Sequence, residues 1–221
     1  MRQAKRLLVV LVATSILAAV AGGVVRALLL WFGLVIIAVI GGILLKRPAW
    51  MGKRPDGTFP WWSLVVWAPW HVLTRGVASL QRRVSPPGAS DVGSGLWVGA
   101  WPLAGDAPAD AAIVDLTAEL PRRVATPAYF CAPTWDHTAP AVADIERAVA
   151  FSVAERRRGR PVLIHCAHGR GRSATVACAV MIALGDAARP DEAFAKIRAR
   201  RAIHMNREQH AALEEWARTP R

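Results

Sequence analysis

Hydrophobic and polar positions divide this chain into two unlike parts. Residues 7–25 and 27–45 are two apolar runs of nineteen residues each, parted only by Arg26. Each is long enough to cross a hydrocarbon core of about 30 Å as a helix, so residues 1–46 are predicted to form an all-α transmembrane hairpin. Beyond residue 90 the pattern changes. Leu96-Trp97-Val98-Gly99 and Ala112-Ile113-Val114-Asp115-Leu116 read as strands, the second opening onto Thr117 and Glu119, and Pro161-Val162-Leu163-Ile164 reads as a buried strand. Residues 138–158 place Val142, Ile145, Val149 and Val153 at helical spacing, with Glu146, Arg147, Glu155 and Arg156 at polar positions, which predicts an amphipathic helix. Residues 173–184 predict a buried helix closed by Gly185. Asn206 to Gln209 looks like a cap-and-return helix start leading into Leu213 and Trp216. Alternating strands and helices predict an α/β domain over residues 91–221, with a mainly parallel sheet flanked by helices.

The stretch between, residues 47–90, holds an aromatic run from Phe59 to Trp70 that is too short and too broken by Pro60 and Pro69 to span a bilayer. Its tryptophans suit the headgroup boundary, so an interfacial or re-entrant segment is expected; the alternative is that they pack on the folded domain. Arg75, Arg82 and Arg83 follow, then a short linker at residues 85–90. Arg2, Lys5 and Arg6 precede the first run and Lys46, Arg47, Lys53 and Arg54 follow the second, which places both ends of the hairpin in the cytoplasm. Ala19-Val20-Ala21 also resembles a signal-peptide cleavage site, but the second run would still return the chain to the same side. The expected location is a bacterial inner membrane with the folded domain facing the cytoplasm. A net charge of +12 fits an anionic lipid surface as partner. No base-stacking or groove-binding signature accompanies that charge, which argues against nucleic acid.

The chemistry concentrates in His165-Cys166-Ala167-His168-Gly169-Arg170-Gly171-Arg172-Ser173, between the strand that ends near Ile164 and the helix that starts near Ser173. Backbone N–H groups converge at such a junction and the helix dipole is positive, so anions bind there. Amides of Ala167, His168, Gly169, Arg170, Gly171 and Arg172 are the candidate phosphate cradle, and the Arg172 fork can hold two phosphoryl oxygens. The same groups would stabilise Cys166 as a thiolate nucleophile. Ser173 can donate a hydrogen bond to the sulfur as it leaves, and His165 can anchor the loop from behind. Arg170 is either a solvated charge or part of a wider cationic rim. Cys131 and Cys178 read as packing residues, with a resolving disulfide to Cys166 as the alternative, and three cysteines make no secreted disulfide framework.

This loop resembles the signature of the cysteine-dependent dual-specificity phosphatases, His-Cys-x5-Arg-Ser/Thr, and Gly169-Arg170-Gly171-Arg172-Ser173-Ala174-Thr175 is similar to the branch that includes phosphatidylglycerophosphate phosphatases. Ala167 and His168 stand where lipid-directed members often carry other residues, which argues against phosphoinositide selectivity. The resemblance implies a general acid some thirty residues before the cysteine. Asp136 occupies that place in Pro133-Thr134-Trp135-Asp136-His137, with His137 as a loop-orienting partner and Asp144 as the competing acid; a helix-capping role for Asp136 is the alternative. The resemblance further implies a phosphomonoester substrate, on a lipid headgroup or on a protein, and chemistry that needs no metal or other cofactor. Two other classes stay open: a catalytically silent phosphate-binding module tethered to the membrane, and a sulfur-transfer enzyme with a loop cysteine.

Overall fold

A computed structural model describes residues 2–84 and 88–219. Its C-terminal half is built on a five-stranded sheet: β1 (Ala89–Gly93), β2 (Leu96–Gly99), β3 (Ala112–Thr117), β4 (Tyr129–Thr134) and β5 (Val162–His165), in the order β1-β2-β5-β3-β4. β2, β5, β3 and β4 are parallel and β1 is an antiparallel edge strand. β5 is central, which explains its unbroken apolar face, since a parallel strand is covered on both sides. Val162 and Ile164 point into the main core, and Leu163 points into a smaller one with Ala89 and Ile113.

Four helices close the main core: α5 (Val142–Arg157), α6 (Arg172–Ala183), α7 (Pro190–Arg200) and α8 (Arg207–Arg218). α6 is the hub, apolar on nearly every side because α5, α7, α8 and the sheet surround it. α5 starts four residues later than its periodicity suggests, because the Thr138 backbone and hydroxyl both bond Trp135 O and hold the preceding segment in a turn. α7 was unmarked by any long apolar run; Pro190 at its start, Asp191 and Glu192 in its first turn, and Arg198 and Arg200 in its last complement the helix dipole. α8 opens with the expected reciprocal cap between Asn206 and Gln209. β1 begins inside the stretch read as a linker, of which Ser85, Pro86 and Pro87 lie outside the described residues.

N-terminal to the sheet stand α1 (Arg2–Val20) and α2 (Gly23–Leu44), both long and apolar enough to cross a membrane, then a 3-10 turn (Pro48–Met51), α3 (Trp61–Val66) and α4 (Ala68–Val84). The hairpin turns at Ala21 and Gly22 rather than at Arg26, which instead lies in the first turn of α2. The aromatic segment divides: Trp67 and Trp70 are buried against α2, whereas Trp61 and Trp62 are exposed.

Lys53 corrects the charge reading. It is not a flanking surface charge: its side chain is fully buried, donating to Asp115 Oδ2 at 2.6 Å, Thr117 O at 2.7 Å and Thr117 Oγ1 at 2.9 Å. Tyr129 donates to the same carboxylate at 2.6 Å. Burial works against a charged Asp115, but the Lys53 charge, with hydrogen bonds from Lys53 and Tyr129, outweighs it and holds the carboxyl well below its usual range. Lys53→Met should therefore cost about 3–5 kcal/mol in denaturant unfolding, because a buried carboxylate loses its counter-charge, and adding Asp115→Asn should return part of that. A depressed carboxyl stabilises above its unfolded value of about 4, so this contribution should fade as pH falls below that value.

Candidate active site

The loop from Cys166 to Gly171 leaves the carboxyl end of the central strand and runs into the first turn of α6. Cys166 N donates to Gly99 O, Trp101 N donates to Ala167 O, Arg201 Nε donates to Gly169 O at 2.8 Å and His204 N donates to Arg170 O at 3.0 Å, so the loop is tied along its length. Gly169 sits at φ +67°, and a Cβ there would lie 2.5 Å from the Gly99 carbonyl carbon; no other residue fits. The turn aims Gly169 N at Cys166 Sγ, 3.2 Å away, and Ser173 Oγ lies 3.4 Å from the sulfur on the other side.

Burial opposes ionisation of Cys166, but Arg172 and the hydrogen bonds from Ser173 outweigh it, leaving the thiol below its ordinary value. Arg172 is 1% exposed. It donates to Thr134 O at 2.6 Å, to Glu119 Oε1 at 2.9 Å and Oε2 at 3.2 Å, and to Asp136 Oδ1 at 2.9 Å. Its Nε is buried without a partner among the described residues, a donor suited to a phosphoryl oxygen. The structure thus brings Cys166, Arg172, Ser173 and Asp136 together.

Asp136 follows Trp135, which is buried against α2 at Gly42, where a Cβ would meet the indole at 2.8 Å. Burial alone would raise its carboxyl, but Arg172, His137 and His168 lower it on balance. His137 Nε2 lies 3.5 Å and His168 Nε2 3.8 Å from Asp136 Oδ2. The loop is fastened from α8: Asn206 Nδ2 donates to His137 O at 2.7 Å and Gln209 Nε2 to Thr138 O at 3.0 Å. Asp144 lies on α5, paired with exposed Arg147 rather than with Arg172. His165 sits behind the nucleophile, Nε2 3.7 Å from Asp115 Oδ1 and Nδ1 3.5 Å from Cys166 O. Its burial keeps the ring toward the neutral form.

A model of the dual specificity phosphatase catalytic domain matches residues 104–219, more than half of the chain. The chain belongs to the dual specificity phosphatase family. It is a cysteine-dependent phosphatase. Among solved structures it is similar to Tk-PTP in its active form (28% identity, 60% of this chain and 98% of that one, TM-score 0.51). A mouse dual specificity phosphatase complexed with zinc tungstate is similar at 24% identity, 60% and 88% coverage and a TM-score of 0.54. PTPMT1 in complex with PI(5)P gives 20% identity, 59% and 95% coverage and a TM-score of 0.49. No curated protein matches.

Two clefts flank the phosphatase loop, sharing Ala167 and His168. One of about 190 Å³ is cationic, bordered by Arg82, Arg170, Arg200 and Arg201. The exposed side chain of Arg170 borders this cleft. The other, of about 140 Å³, holds Asp136 and Glu119. Burial pushes Cys178 up to about 12, and Cys131 likewise to about 12; both are free thiols kept out of chemistry.

Glu119 is the functional candidate that sequence reasoning missed, although a lone acid in the apolar stretch between Ala118 and Leu120 was its signal. It holds the Arg172 fork in plane and also offsets its charge. Glu119→Gln in this phosphatase should lower kcat/KM by about 10–100-fold through a misplaced guanidinium. The less compensated Arg172 should at the same time move the pH profile of Cys166 alkylation to lower pH. An unchanged alkylation profile would exclude the electrostatic part of that role.

Proposed function

We propose that this chain is a membrane-anchored phosphomonoesterase acting on the headgroup phosphate of a phospholipid through a phosphocysteine on Cys166. The observation that carries the reading is the convergence on one sulfur of Gly169 N and Ser173 Oγ, within the influence of a buried Arg172 that also pairs with Asp136. The Cys166 sulfur attacks phosphorus as the ester P–O bond breaks, and Asp136 delivers its proton to the departing oxygen. Asp136, now a carboxylate, takes a proton from water; the water oxygen bonds phosphorus, the P–S bond breaks, and inorganic phosphate leaves. Ser173 stabilises the departing thiolate. Arg172 and the amides of residues 167–172 hold the equatorial oxygens, and their grip tightens as charge gathers there.

A lipid substrate is supported by the two apolar helices and by the packing of Trp135, neighbour of the acid, directly against α2. Confinement to one surface raises the effective concentration of substrate for a tethered site. Arg47 and Arg54 keep the charge that favours the cytoplasmic side for the catalytic half. The test is phosphate release by detergent-solubilised full-length protein, without added metal, from phosphatidylglycerophosphate, phosphoinositides and phosphotyrosine peptides. Release from a lipid is the expected result. Release from peptides alone would replace it with protein signalling, and binding without release would make the chain a silent phosphate-binding module.

A further inference from the structure

The segment ahead of the family domain shapes the active site itself. Trp31 Nε1 donates to Val66 O at 3.2 Å, and Trp31 lies thirteen residues before the end of α2 at Leu44. At 1.5 Å per residue that contact is about 20 Å along the helix from its end, level with the middle of the apolar span. The junction of α3 and α4 therefore reaches back into the depth of the hairpin, where Trp67 and Trp70 pack on Val35, Ile36 and Val39. From there α4 climbs toward the catalytic loop, and Ala78 packs with Trp101, Leu120 and Ala167, the residue after the nucleophile.

Leu73, Val77, Leu80 and Val84 form one exposed apolar stripe along α4. Such a stripe is costly in water, and α1 and α2 carry exposed apolar residues of the same kind. The cleft that holds Asp136 and His168 has Leu73 and Val77 of α4 on one side and Gln3 of α1 on another. Gln3 Oε1 and His168 Nδ1 are buried there without partners among the described residues. Buried polar atoms of this kind suit a hydroxyl-bearing headgroup.

We propose that α1 and α4 frame a lateral portal through which a bilayer phospholipid with a terminal phosphate monoester brings a polyol headgroup to Cys166. Its acyl chains stay in the membrane against Leu73, Val77 and Leu80. This rests on the phosphomonoesterase reading and adds the route that the substrate takes. Full-length protein reconstituted in phosphatidylcholine vesicles carrying phosphatidylglycerophosphate would be compared on that lipid and on soluble 4-methylumbelliferyl phosphate. Leu73→Trp and Val77→Trp should each lower lipid turnover by about tenfold more than aryl phosphate turnover, the scale on which one misfitting apolar group discriminates. Equal losses on the two substrates would overturn the portal, and so would a wild type active on the aryl phosphate alone. A wild type inactive on both would overturn the phosphatase reading beneath it. Independently of those bulky variants, p-benzoylphenylalanine placed at Val77 in the Cys166→Ser background should crosslink to the vesicle lipid; crosslinking no greater than at exposed Leu103 would also overturn the portal.

Discussion

Replacing Cys166 by serine is expected to reduce phosphate release by about ten-thousandfold or more, the scale seen when a covalent nucleophile is lost. The structure explains both the size and the cleanness of this effect. Three groups lower the cost of a thiolate against its burial and the neighbouring Asp136 charge: Gly169 N at 3.2 Å, Ser173 Oγ at 3.4 Å and the nearby Arg172 charge. None of them brings a hydroxyl near ionisation at neutral pH, so the serine variant keeps the cradle and loses the attack. Because the oxygen is smaller than sulfur and still hydrogen-bonded, the fold should persist. The variant should therefore bind inorganic phosphate or a substrate lipid and gain thermal stability from it. Rapid quench with labelled substrate should trap phosphate on the wild-type chain and none on the variant. Turnover within tenfold of wild type would mean that another group attacks phosphorus.

The parts of this architecture that were legible in the sequence are those whose causes are local. The strand, loop and helix around Cys166 are shaped by neighbours: apolar β-branched residues before it, Gly169 at its one positive φ, and a helix whose first residue is Arg172. The reciprocal cap at Asn206 is equally local. What stayed hidden depends on distant partners. Glu119 meets Arg172 across fifty-three positions and Lys53 meets Asp115 across sixty-two, so the sequence names neither partner. α4 was hidden for a different reason. Its apolar stripe is interleaved with Arg75, Arg82 and Arg83, and its beginning reads as the end of a tryptophan-rich, proline-broken run; its tie to the site comes from tertiary packing, such as that of Ala78 with Ala167. Asn206 and Gln209 show the same limit from another side, since the residues that cap α8 also pin the acid loop through His137 O and Thr138 O.

Asp136→Asn should lower kcat on a lipid or other alkyl phosphate by about a hundredfold to a thousandfold, the range of a lost general acid. The pH dependence gives the sharper test. Arg172, His137 and His168 hold the Asp136 carboxyl below its usual range, which favours the carboxylate needed for the second step but not the acid needed for the first. A bound phosphoryl group engages Arg172 and sets negative charge beside Asp136, so the carboxyl must rise in the complex relative to the free enzyme. A group that works as the acid is active below its pKa, and rate is lost as pH rises through it. The wild-type kcat profile should therefore carry a falling alkaline limb at higher pH than the corresponding limb of kcat/KM, and Asp136→Asn should lack both. A leaving group that needs no proton should rescue the variant: its deficit should shrink by about tenfold or more on an aryl phosphate with a strongly acidic phenol. Equal deficits on alkyl and aryl esters, with the alkaline limb intact, would transfer the acid role away from Asp136. The geometry leaves Asp144 a poor heir, because it lies on α5 with Arg147 as its partner and makes no contact with Arg172.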